Sequence, residues 1–140
     1  SPDGHLLATT ANDAVVRLWD ARSGRELVAR SGAGNFGVAF SPDGGRLANS
    51  GVDRTVRIWT VTGDNLSVEQ PLTLLGHTAA VYRVAWSPDG RRLATASRDG
   101  TSRVYIVDLN DLVDLARSKV TRGLTAEECQ KFLHEDHCPT

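Results

Sequence analysis

The stretch Val81-Tyr82-Arg83-Val84-Ala85-Trp86-Ser87-Pro88-Asp89-Gly90-Arg91-Arg92-Leu93-Ala94-Thr95-Ala96-Ser97-Arg98-Asp99-Gly100-Thr101-Ser102-Arg103-Val104-Tyr105-Ile106 decides the fold. It reads as three short strands joined by two turns. Ser87-Pro88-Asp89-Gly90 is type I turn chemistry: Ser at the first position, Pro fixing φ at the second, Gly at the fourth. Arg98-Asp99-Gly100 is the second turn, where Asp bonds nearby backbone. The runs 81–86, 92–96 and 101–106 between these turns are rich in β-branched and aromatic residues.

The same unit recurs upstream. Ser-Pro-Asp-Gly stands at 1–4, 41–44 and 87–90, giving periods of 40 and 46 residues. Leu7-Ala8 answers to Leu47-Ala48 and Leu93-Ala94, and Asp13 to Asp53 and Asp99. Val16-Arg17-Leu18-Trp19 answers to Val56-Arg57-Ile58-Trp59 and, more loosely, to Ser102-Arg103-Val104-Tyr105. The six extra residues of the second period fall around Gly63-Asp64-Asn65. Units of this length with several short strands each are the signature of a propeller. Leu72–Leu75, behind Pro71, reads as the outer strand of the middle unit, since Pro suits a sheet edge.

Gly76-His77, Val84-Ala85-Trp86-Ser87-Pro88-Asp89-Gly90, Leu93-Ala94-Thr95-Ala96-Ser97 and Asp99 together resemble the WD-repeat family, as does the dipeptide Trp19-Asp20. The resemblance covers residues 1 to about 107. It implies an all-β partial propeller of about three four-stranded antiparallel blades with a short C-terminal helical tail. The expected division is a partial blade over 1–30 lacking its first strand, a second blade over 31–75, a third over 76–107 lacking an outer strand, and a tail over 108–140.

His77, Ser97 and Asp99 invite comparison with a hydrolytic triad. Ser97 lies within a strand, however, without the strained exposed turn or the oxyanion donors that a nucleophile needs. The family resemblance implies a structural role instead, a hydrogen-bond chain of His77, Ser97, Asp99 and Tyr105 locking loop to strand. Blades one and two hold parts of it, Asp13 with Trp19 and Asp53 with Trp59. There Ala11 and Gly51 stand in the serine position, and Ser31 stands where the second blade's His would be. His77→Ala is therefore expected to harm the third blade alone.

After Asp108 the apolar period changes to about 3.6, with Leu109, Leu112, Val113, Ala116 and Val120 on one stripe and Gly123 as the stop. A second helix is expected from Thr125, where Thr125-Ala126-Glu127-Glu128 forms a capping box and Cys129, Phe132 and Leu133 give one apolar face. Both helices are read as packing elements. Cys129, His134, His137 and Cys138 offer zinc-type donors, but no CxxC knuckle is present and two donors are adjacent, so no metal is expected. Two free thiols fit a reducing, cytoplasmic setting. The run Leu124-Thr125-Ala126-Glu127-Glu128 before Cys138-Pro139 resembles the C-terminal segments of bacterial WD-repeat proteins. It implies the C-terminal part of a longer bacterial protein, a signalling NTPase or kinase being the leading expectation.

The composition is that of an ordinary globular chain: 140 residues, 40% hydrophobic, 24% charged, with 16 basic and 17 acidic residues and a net charge of −1. That balance argues against nucleic acid, and no apolar run approaches the length of a membrane span. No paired acids, phosphate-binding loop or metal cluster points to an enzyme working in the propeller channel, and no cofactor is expected. The expected function is a non-catalytic scaffold or sensor that binds a protein or peptide on the surface made by first-strand entrances and the turns after the second strands. By position, the candidate contacts are Phe36, Tyr82, Asn12, Val52, Arg98 and Arg54, with Tyr82 and Arg98 foremost because Tyr and Arg anchor interfaces. The alternative is a structural piece that completes a ring with copies of itself. An unclosed face of ~800 Å² forgoes burial on the order of 10–20 kcal/mol, as much as the ~5–15 kcal/mol net stability of a whole domain. The chain should therefore self-associate or need the remaining blades of a parent propeller.

Overall fold

A computed structural model describes residues 1–31, 35–67 and 70–119. The chain separates into two compact units, Ser1–Asp108 and Leu109–Thr140. In the first, three antiparallel sheets follow one another along the chain. Sheet I holds β1 (Leu6–Thr10), β2 (Val15–Asp20) and β3 (Glu26–Ser31), in that order. Sheet II runs β4 (Asn35–Phe40), β5 (Arg46–Gly51), β6 (Val56–Thr62), with β7 (Asn65–Leu66) and β8 (Leu72–Leu74) sharing the outer edge of β6. Sheet III is β9 (Val81–Trp86), β10 (Arg92–Ser97) and β11 (Ser102–Ile106), with β10 in the middle. This is the architecture of a partial propeller. The extra residues of the second period form a tight hairpin, in which Thr62 faces Asn65 across Gly63-Asp64 and Gly63 takes φ +55°.

The alternation of strand side chains sets how the sheets meet. In sheet II, Leu47 lies opposite Trp59, and both join Leu6, Val16, Leu18 and Val28 of sheet I in one core cluster. Their immediate neighbours Ala48 and Ile58 point the other way, into a second cluster with Val81 and Leu93 of sheet III. The middle sheet is thus apolar on both faces, as its near-continuous buried run in β5 shows. Sheet III buries only one face, and β10 alternates between exposed and buried.

The Ser-Pro-Asp-Gly turns form a row across the three sheets. Each closes with a Gly amide donating to the Ser carbonyl, at 3.0 Å in 1–4 and 2.9 Å in 41–44 and 87–90. Gly4, Gly44 and Gly90 take φ between +68° and +74°, which explains the residue choice. The turns also touch. A Cβ added at Gly44 would lie 3.7 Å from Pro2 Cδ, and one at Gly90 would lie 3.6 Å from Pro42 Cδ. Arg46 then bridges sheets II and III: its Nη2 donates to Gly90 O at 2.7 Å, its Nη1 to Val107 O at 3.4 Å, and its guanidinium lies 4.7 Å from the Trp86 ring centroid.

In the second unit, α1 spans Leu109–Lys119, with Asp111 in its first turn and Arg117 and Lys119 in its last, complementing the helix dipole. Its stripe of Leu109, Leu112 and Val113 is exposed. Val120, Gly123, the Thr125 helix and the Cys129, His134, His137 and Cys138 donors lie outside the described residues. Among the described residues no helix is long and apolar enough to cross a membrane.

Candidate functional site: a buried polar chain and an aromatic rim

The polar chain of sheet III starts at His77, buried just ahead of β9. Its Nδ1 meets Asp99 Oδ2 at 2.8 Å and its Nε2 meets Thr95 Oγ1 at 2.8 Å. The hydroxyl facing His77 is therefore Thr95 and not Ser97. Ser97 and Thr95 share a strand face by alternation, but the β9–β10 register shifts between Ala96 and Ser97. That irregularity carries the Ser97 hydroxyl to the carbonyls of Ala79 and Ala80, at 3.1 and 3.0 Å, while it accepts the Asp99 amide at 3.1 Å. Tyr105 also stands outside the chain, donating its hydroxyl to Leu75 O at 3.1 Å.

The same two-residue correction applies upstream. Trp19 donates its ring N–H to Thr9 at 2.8 Å, and Trp59 donates to the buried Asn49 side-chain carbonyl at 2.7 Å. Thr9, Asn49 and Thr95 are thus the equivalent positions, and not Ala11, Gly51 and Ser97, two residues further along. Ser31 ends β3, paired with Val15. In sheets I and II the turn Asp pairs with an arginine of the following strand, Asp13 with Arg17 at 2.7 Å and Asp53 with Arg57 at 2.9 Å.

Asp99 is held well below the usual carboxylate range, first by the Thr101 hydroxyl at 2.6 Å, then by the Thr78 amide at 3.0 Å and by His77. An ionised carboxylate only accepts, so Nδ1 of His77 carries the proton facing it. Asp13 is also lowered, chiefly by Arg17. The Asp-His-hydroxyl order imitates a triad, yet Thr95 is only 4% exposed and lies in the middle strand of a sheet. This chain ties loop to strand.

The opposite end of the sheets from the Ser-Pro-Asp-Gly row carries the other candidates. Asn35 pairs with Gly51 and Val81 with Ser97, so the starts of β4 and β9 lie beside the turns that follow β5 and β10. Phe36 and Tyr82 meet there edge to face, ring centroids 5.0 Å apart at 67°, and stay 41% and 42% exposed. Val52, Arg54 and Arg98 are exposed on the adjoining turns, with Arg98 N–H donating to Ala80 O at 2.9 Å; Asn12 is exposed on the turn after β1. Arg54 has φ +71°, rare for a side chain of its size.

Gly37 makes this pairing possible and was missed by sequence reading. A Cβ there would lie 3.0 Å from Tyr82 O and 3.2 Å from Arg83 Cα, so only glycine lets β4 come this close to β9. A glycine in a strand interior is the signal that could have revealed it.

The profile of the WD domain, G-beta repeat family matches residues 1–20, 34–60 and 69–105, more than half of the chain. The chain belongs to the WD-repeat family. Its repeats generally provide scaffolds for protein–protein contact. No curated protein matches the chain.

Proposed function

We propose that this WD-repeat chain is a non-catalytic interaction module that takes a protein or peptide across the Phe36–Tyr82 rim. The carrying observation is that edge-to-face pair. Two half-exposed aromatic rings stand on strands brought together at Gly37. Preorganised aromatics bury large area at little entropic cost, which is why they dominate interface energetics. Val52, Arg54, Arg98 and Asn12 extend the surface with one apolar and several polar contacts. The near-neutral charge supports a protein partner over nucleic acid. The resemblance of the last residues to bacterial WD-repeat C-termini supports a place at the end of a longer bacterial cytoplasmic signalling protein.

Selection of displayed peptides on the purified chain, followed by affinity measurement, tests this reading. Tyr82→Ala and Phe36→Ala should each weaken the selected peptides by about tenfold or more, equivalent to about 1.4 kcal/mol. Leu72→Ala, 56% exposed on the outer strand, should leave them unchanged. Peptides indifferent to both aromatic substitutions would overturn the assignment.

A further inference from the structure

The turn that carries the aspartate bends the same way in all three sheets. The residue after each aspartate sits in the left-handed region: Ala14 at φ +61°, Arg54 at +71° and Gly100 at +80°. That backbone favours glycine, which sheet III supplies, and sheet I carries nothing larger than alanine there. Sheet II alone puts a long charged side chain on it. Nothing among the described residues accounts for that choice. The Arg54 side chain is exposed and makes no hydrogen bond or ion pair among them. The neighbouring acid, Asp53, is already taken by Arg57 and by the Thr55 hydroxyl, both at 2.9 Å. Sheet II also has a sheet packed on each face, so the exposure of its turn does not come from an open end of the unit. Backbone strain that no internal contact answers marks positions kept for a ligand.

Where Arg54 stands indicates what that ligand is. Its amide donates to Gly51 O at 3.4 Å, and Gly51 pairs with Asn35, the residue before Phe36. The turn of sheet II therefore brings an unpaired guanidinium to the strand that carries Phe36. On sheet III, Arg98 is exposed next to the strand that carries Tyr82, its amide on Ala80 O at 2.9 Å. The acid of that turn is withdrawn: the Asp99 side chain is 7% exposed and accepts from Thr101, Thr78 and His77. Each of the two sheets that supply an aromatic ring thus also supplies an arginine, while their turn acids are engaged internally.

Taking the Phe36–Tyr82 rim as the binding surface, on which this step rests, we infer that the partner is an acidic peptide. An apolar or aromatic side chain of the peptide seats on the two rings, and its carboxylates are taken by Arg54 and Arg98. A guanidinium meets a carboxylate through two parallel N–H bonds, which adds direction to the attraction. Two arginines on separate turns suit single carboxylates set apart along a chain. One phosphoryl group would call for guanidinium groups converging on a point.

Peptides selected from a random displayed library on the 140-residue chain, then synthesised for affinity measurement, provide the test. They should be enriched in Asp and Glu beside an apolar residue. Copies with those acids replaced by Asn and Gln should bind about tenfold more weakly. Arg54→Gly should lose a similar factor against the acidic peptide and nothing against its neutral copy. The same variant should unfold at higher denaturant, because glycine takes φ +71° without strain. Affinity and stability moving in opposite directions is a result that a merely structural arginine would not give. Arg22→Gln removes the same charge at the Ser-Pro-Asp-Gly end and should leave affinity unchanged. Peptides that need Phe36 and Tyr82 but tolerate Arg54→Gly and loss of their acids would overturn the acidic class and leave the rim standing. Peptides indifferent to both aromatic substitutions would remove the rim and the acidic partner together. A phosphoserine at an acid's place that binds far more tightly, and still needs Arg54, would replace the carboxylate by a phosphoryl partner.

Discussion

Replacing Thr95 by valine removes one hydroxyl and keeps the shape. In the folded chain that hydroxyl lies 2.8 Å from His77 Nε2, and the His77 side chain is only 1% exposed. No water can replace the lost partner without opening the β10 face, so the imidazole nitrogen is left unsatisfied at a cost of about 1–3 kcal/mol. The first unit spans 108 residues. With an unfolding entropy of about 2.1 cal/mol/K per residue, each kcal/mol there corresponds to about 4 °C. Thermal unfolding followed by circular dichroism should therefore show a midpoint lower by roughly 4–13 °C, and the His77 ring resonances should shift. Ser97→Ala serves as the comparison. It loses turn hydrogen bonds and some stability but leaves the His77 ring environment in place. A Thr95→Val chain that unfolds within about 0.5 kcal/mol of the parent, with unmoved His77 resonances, would refute the Thr95 assignment.

Four more outcomes are expected. Asp99 has a carboxyl lowered from its ordinary 3.8 in the folded state, so its contribution is fully present above that pH and is lost as pH falls below it; Asp99→Asn should destabilise the chain at neutral pH and flatten its acid unfolding curve. Gly37→Ala should cost about 1–3 kcal/mol, because the new methyl meets the backbone of β9, and hydrogen exchange should quicken there first. Arg54→Gly should raise stability by about 0.5–1 kcal/mol, read by urea titration, since glycine takes φ +71° without strain. Arg46→Met should lose about 2–4 kcal/mol from its charged hydrogen bonds and its contact with Trp86, with exchange protection falling chiefly in β9–β11.

Much of the fold was legible because it is written in short-range chemistry. The Ser-Pro-Asp-Gly turns, the β-branched third strands around Val56-Arg57-Ile58-Trp59 and the helical stripe from Leu109 each carry their own local signal. The polar chain was legible only to its face. Thr95 and Ser97 point the same way in a regular strand, and the register shift that separates them depends on how β9 pairs, which no local pattern encodes. The arginine partners of Asp13 and Asp53 stand four positions along the chain, and whether each Asp meets its Arg depends on how the turn folds back on the strand. The Arg46 bridge joins residues 44 and 61 positions apart in sequence, and such a contact shows only once the sheets are packed. The rim aromatics were placed at strand entrances by position, but their edge-to-face contact hangs on Gly37.

The row of proline-on-glycine contacts acts as a ruler. It fixes the step from each sheet to the next at one end of the strands, while the hairpin at Gly63-Asp64 and the strand Leu72–Leu74 lie on the outer edge of β6. Length added at that edge does not feed into the step, which is how periods of 40 and 46 residues share one spacing. A foreign segment grafted between Gly63 and Asp64 should be carried as cargo without altering the pitch. A single residue inserted between Ser41 and Arg46 should instead throw Pro42 out of line with Gly90 and slide Arg46 off Trp86, and the error would pass to every sheet beyond it.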